Sequence, residues 1–282
     1  MIQNEEGLLN SDALIEKLGR DLKRAAAGFT RNEARFIVEL HYDMQSFRIE
    51  SQGRVRALGE AGAPIETLQY FLRQMELIEV ASAAVLDSYS AANPLGRWAR
   101  EILGIGPKFA AGLLAHIDIP NAKTAGQIWA FAGLDPTREW KKGEKRPWNA
   151  RLKKLCWLIG ESFVKVSGNE NAFYGQLYKQ RKAYETAKNE AGDYAELAAS
   201  ILEKKNYSAD TTAKAEYQKG RLPKAHIHAR AKRYAVKLFL AHYFEVGCKL
   251  AGRTPPIPYP VAHQNHAHYI APPGIDHVEA VA

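Results

Sequence analysis

Cysteine is scarce in this chain: two among 282 residues, Cys156 and Cys248. Two thiols so far apart exclude a disulfide framework and a zinc knuckle, and both are expected to be reduced and buried. No uninterrupted apolar run reaches about 18 residues, and no basic, apolar and small-residue signal pattern opens the chain, so neither membrane spanning nor secretion is expected and a cytoplasmic setting is. Serine is missing between Ser90 and Ser162, which takes a common hydroxyl nucleophile out of the middle of the chain. Histidines are present but badly spaced for a metal. His226 and His228 are two apart and cannot share a helix face, while His263, His266 and His268 lie in a tail that would have to fold against something before it could ligate. Neither a metal nor another cofactor is expected, and His116 reads as a helix-end residue.

What is present is ordinary globular material with a basic bias. Hydrophobic residues make up 46% and charged ones 25%, with a net charge of +8; that balance favours a polyanionic partner. The charge is unevenly placed. Residues 1–100 carry 12 basic and 14 acidic side chains, 137–154 carry 8 and 2, and 214–253 carry 10 and 2.

Apolar periodicity predicts an all-α chain. Leu14, Ile15, Leu18 and Leu22 recur at helical spacing before Gly28. Thr30 followed by Glu33 is a capping box that opens a long amphipathic helix with an apolar stripe at Phe36, Ile37, Leu40, Met44, Phe47 and Ile49. A second helix after Pro64 carries Leu68, Phe71, Leu72, Met75, Ile78 and Val85 and breaks at Asn93-Pro94. This pair over 1–94 predicts either an antiparallel hairpin or a homo-oligomer interface. Residues 95–253 form the second region. Within it, helices are expected over about 124–133, from 149 to about 166, over 169–182 and over 224–250, with an Ala, Glu and Lys-rich excursion near 183–212. From 254 to 282 the prolines, among them Pro255, Pro256, Pro258, Pro260, Pro272 and Pro273, predict an extended tail.

Candidate function concentrates in three places. Residues 102–117 read as a helix-hairpin-helix: Gly104, Ile105 and Gly106 form a Gly-hydrophobic-Gly turn, both glycines being expected to allow positive φ. Pro107 suits a helix start whose dipole favours an anion, and Lys108 adds charge. The second place interleaves Trp140 and Trp148 with Arg138, Lys141, Lys142, Lys145, Arg146, Arg151, Lys153 and Lys154, a surface suited to phosphates and stacked bases. The third is a stripe of His226, Arg230, Arg233 and Lys237 at helical spacing.

Leu-Gly-Ile-Gly-Pro at 103–107, Ala-Gly-Leu-Leu-Ala at 111–115, Phe-Ala-Gly-Leu-Asp-Pro at 131–136 and Asn-Ala-Arg-Leu-Lys-Lys-Leu at 149–155 together resemble the C-terminal helix-hairpin-helix domain of the DEDD transposases. These are insertion-sequence recombinases guided by a bridge RNA. The likeness is close over 102–164 and loose over 65–250, and it implies DNA as partner and a mobile-element or phage origin. Two departures limit it. The family's ribonuclease-H-like nuclease domain is built of strands bearing four acidic metal ligands, whereas the first 100 residues here read as helical. The family's serine, in a loop after the Gly-Leu-x-Pro segment, has no counterpart, because Lys141 and Lys142 stand in that loop. Thr137 as a substitute nucleophile lacks a base, and Glu139 with Glu144 lack further ligands for magnesium. The expected function is therefore a non-catalytic protein that binds double-stranded DNA. The alternatives are a recombinase subunit working with a partner nuclease, or an assembly module holding structured RNA.

Overall fold

A computed structural model describes residues 18–205, 207, 211–257 and 269–274. Leu14, Ile15, Pro258, Pro260, His263, His266 and His268 lie outside the described residues. The described chain is all-α: α1 (Arg20–Ala25), α2 (Arg31–Glu60), α3 (Glu66–Ala92), α4 (Pro94–Glu101), α5 (Pro107–His116), α6 (Ala125–Phe131), α7 (Ala150–Lys165), α8 (Phe173–Glu190), α9 (Ala195–Lys204), α10 (Thr212–Gln218) and α11 (Lys224–Leu250). None of these helices is long and apolar enough to cross a membrane. The chain forms two compact units, one reaching Arg97 and including Ala110–His116, the other comprising Trp98–Phe109 and the chain from Ile117 onward.

The first unit is built on α2 and α3. The expected capping box opens α2, with Thr30 Oγ1 accepting from Glu33 N and Glu33 reaching back to Thr30 N at 2.7 Å. The two helices run antiparallel, as their pairs show: His41 meets Ser82 at 2.9 Å, while Gln45 and Arg48, further along α2, both reach Glu79, earlier on α3. A five-residue link makes this hairpin the short-loop solution for two neighbouring helices. The buried face is not the one the apolar residues of α2 predict. Ala34, Val38 and His41 are buried, whereas Phe36, Phe47 and Ile49 are 67%, 50% and 57% exposed. Small residues on α2 allow close approach to α3, so the bulky residues turn outward. Phe36, Phe47 and Leu58, spaced by 11 residues, each lie about 20° from the next on the helix wheel.

The second unit centres on α11, of whose 27 residues 12 are buried. An aromatic cluster ties three other helices to it. Phe239 stacks with Trp98 of α4 at 6.2 Å and meets Phe163 of α7 at 5.5 Å and Tyr174 of α8 at 5.2 Å. Such pairs add about 0.5–1.5 kcal/mol each beyond area burial. The excursion near 183–212 holds a small core of its own, in which Tyr194, Ala198, Tyr217, Leu222 and Ile227 are buried. Beneath it Glu185, 1% exposed, accepts from Tyr194, Arg230 and Arg181 at 2.5, 2.7 and 2.8 Å. Burial pushes this carboxyl up, and the three donors more than offset it, leaving it below the ordinary glutamate range. One stretch of the proline-rich tail is docked. Within 269–274, Pro273 O accepts from Trp98 Nε1 at 2.9 Å, Ile270 O pairs with His242 Nε2 at 2.8 Å, and Tyr269 donates to Glu245 at 2.5 Å.

Candidate nucleic-acid interface

The turn between α4 and α5 is held from below. Ile102 and Ile105 are buried, and Ile105 N closes on Ile102 O at 2.9 Å. Gly104 has φ of 100°, and a Cβ there would lie 3.2 Å from Phe163 and 3.4 Å from Ser162 Oγ and Val166, all on or next to the end of α7. Ser162 donates to Gly104 O at 2.7 Å, a support that periodicity and spacing do not reveal because it joins residues 58 apart. Only one of the two glycines matches expectation. Gly106 has no positive φ, and no atom lies within 4 Å of the place its Cβ would occupy. The turn needs Gly104 for its geometry, and Gly106 leaves open space on the outer side.

That space is part of an open pocket of about 430 Å³, lined among others by Arg100, Glu101, Gly104, Gly106, Lys108 and Ser162. The first N–H groups of α5 have no partner inside their own helix, and the dipole end of a ten-residue helix adds positive potential there. The pocket therefore combines donors, a lysine and room for an anion.

The basic loop leaves α6 at Gly133, where φ is 65° and a Cβ would run into Trp148 and Lys153 at 2.9 and 2.8 Å. Asp135 Oδ1 then accepts from Thr137 N at 3.0 Å and Thr137 Oγ1 at 2.8 Å. These bonds, the backbone one foremost, hold its carboxyl below the usual range. Asp135 thus caps the turn and gives Thr137 the neighbouring carboxylate that the sequence did not reveal, though its lowered pKa makes it a weak base. Lys141, Lys142, Lys145, Arg146, Arg151, Lys153 and Lys154 are all exposed. Arg146 lies 5.1 Å from the centre of the Trp140 ring, and Trp140 Nε1 donates to Glu144 O at 2.7 Å. Lys153 covers the half-buried Trp148 at 3.9 Å; partial burial first, then Arg146, lowers its ammonium pKa. Arg138 sits 3.7 Å from Asp135 and donates to Pro147 O at 3.5 Å. Asn149 N-caps α7 by accepting from Leu152 N at 2.8 Å.

The α11 stripe is more mixed than its sequence. His226 pairs with Tyr217 at 3.1 Å, and burial, then Arg230 and Arg233, depresses its pKa, so it is neutral at pH 7. Arg230 holds Glu185. Arg233 is exposed. Lys237 lies 4.3 Å over the Trp129 ring, whose Nε1 donates to Lys237 O at 2.8 Å. Its pKa is lowered by burial, partly countered by Asp135, so this end of the stripe reaches the loop.

The turn and the loop sit at opposite ends of α7. Ser162 is 12 residues beyond Ala150, about 18 Å along the axis. Between them Trp157 is 56% exposed, well off the buried stripe that Leu152, Leu155, Ile159 and Phe163 form on α7. Among the described residues no group of three or more His, Cys, Asp or Glu side chains is gathered to hold a metal.

Residues 97–171 match the family model of the transposase IS116/IS110/IS902 family. The match takes in the α4–α5 turn, the basic loop and all of α7, and gives this stretch transposase-like ancestry. Comparison with curated proteins gives no match, and comparison with solved structures gives none.

Proposed function

We propose that the chain binds double-stranded DNA without cutting it, as a transposase-derived binding protein. The observation that carries this reading is the segment 137–154, where 8 basic residues face 2 acidic ones and nearly all the cations are exposed beside Trp140. In this reading the α4–α5 turn is a helix-hairpin-helix that accepts one phosphate on Gly106, Lys108 and the start of α5. The loop and α7 start accept others, and Arg233 with Lys237 extend the track. Phosphate contacts of this kind give affinity and register with little sequence preference. The hydroxyls of Thr137 and Ser162 are engaged, with Asp135 and with Gly104 O, which supports binding without strand transfer by the chain itself. A cytoplasmic setting and a mobile-element origin belong to the same reading.

Fluorescence anisotropy with a labelled 30-base-pair duplex tests it. Affinity should fall with salt at a log-log slope steeper than about three, and replacing Lys141, Lys142, Lys145 and Arg146 by Ala should lower that slope by about 0.9 for each phosphate no longer neutralised. A flat salt response would refute the proposal. The exposed row Phe36, Phe47 and Leu58 favours self-association as a second property, measurable as mass by light scattering and abolished in Phe36→Glu with Phe47→Glu.

A further inference from the structure

We infer that Trp157 is a stacking platform for an unpaired nucleobase of the bound DNA, an inference that rests on the function proposed above. Trp157 is the most exposed tryptophan among the described residues, at 56%, although indole normally carries a large apolar area into a core. It is not loosely placed. Gly160, one turn on, lets the Lys232 stem cross from α11 over α7: a Cβ at 160 would meet Lys232 Cγ and Cδ at 2.7 and 3.0 Å. Lys232 then ends 5.1 Å from the centre of the Trp157 ring and pairs with Glu161. An ammonium over an indole is attracted by the ring quadrupole. Because Glu161 already neutralises Lys232, this lysine orients the ring rather than adding a phosphate contact.

The position fits a strand that has met the basic loop. Lys153 and Lys154 lie four and three residues before Trp157, on the same side of α7, and Trp157 is about 10 Å along the axis from Ala150. Ser162 at the hairpin lies about 140° further round the helix, so the platform continues the loop's surface. A base inside a duplex has its faces covered by its neighbours. A bulged or flapped base offers one, and stacking on an aromatic tolerates any base.

The test uses the full chain and three probes: the 30-base-pair DNA duplex, the same duplex with one bulged thymine, and the same bulge with an abasic site. The parent should prefer the thymine bulge. Trp157→Ala should weaken binding of that probe by about 5- to 150-fold, change the paired duplex and the abasic bulge by less than about twofold, and keep the parent salt slope and melting temperature. Trp157→Phe should retain most of the preference. No preference by a parent that binds duplex, no weakening in Trp157→Ala, or an equal weakening on all three probes would overturn the platform alone. An RNA hairpin with one unpaired base, titrated as a fourth probe, separates the two nucleic acids: a loss in Trp157→Ala confined to it would overturn the assignment to DNA. Failure of the parent to bind duplex at all would overturn the function proposed above, and the platform with it.

Discussion

Replacing Gly106 by Val, beside Gly104 by Ala, separates a phosphate-binding turn from a mere corner. At Gly104 the backbone has φ of 100° and a new Cβ would press on Phe163 at 3.2 Å; strain of this type costs about 1–3 kcal/mol. Melting should fall by about 2–4 °C for each kcal/mol in a unit of this size. At Gly106 nothing lies within 4 Å of the added Cβ and φ is not positive. The residue precedes Pro107, a position that favours extended backbone and suits a β-branched side chain. Gly106→Val should therefore melt within a few degrees of the parent. Its methyl groups would stand where an incoming phosphate must approach Lys108 and the first amides of α5. Losing hydrogen bonds to a charged group costs about 1.5–3 kcal/mol, roughly 10- to 150-fold in affinity, and one phosphate fewer lowers the salt slope by about 0.9. Anisotropy titrations at several salt concentrations, with circular dichroism melts, read both quantities. A folded Gly106→Val that binds duplex like the parent refutes the phosphate role.

Three further outcomes follow from the packing. His242, 2% exposed, has its pKa depressed to about 4 by burial; the neutral ring is the one the fold favours, so its contribution is complete above about 6.5 and fades as pH falls toward 4, by about 3 kcal/mol in all. His242→Gln should flatten that part of the stability-versus-pH curve, and an unchanged slope would refute it. Glu185→Gln leaves Arg181 and Arg230, 31% and 28% exposed, without their carboxylate and should cost about 3 kcal/mol in urea unfolding; a cost below about 1 kcal/mol would show that water replaces it. Thr137→Ala should be silent in a plasmid-nicking assay with magnesium or manganese, the parent itself leaving the plasmid intact, and cleavage that disappears in the variant would restore catalysis.

Local signals carried the helices and misjudged some faces. The Thr30–Glu33 capping box, the Asn93-Pro94 break and the Gly104-to-Pro107 punctuation are short-range chemistry, and each marks a real boundary. Which face of α2 is covered depends on a partner helix some 40 residues away, and small Ala34 and Val38 take that place over Phe36. The basic loop was legible because exposed charge needs no partner to be recognised. Ser162 under Gly104, Lys232 over Trp157 and Glu185 beneath Arg230 were not legible, since each joins residues 45 or more apart in the chain.

The docked stretch at 269–274 also bears on how the molecule is made. The bond from Trp98 to Pro273 spans 175 residues, so α4 acquires one of its native partners only after that much further chain has been made. The α2–α3 hairpin closes through a five-residue link and can form early, whereas the aromatic cluster around Phe239 must wait for contacts with a large loop-closure cost. The nascent chain can therefore complete its helical hairpin before its aromatic cluster. Until the 269–274 stretch arrives, Trp98 and the other rings of the cluster are sticky surface on an unfinished protein.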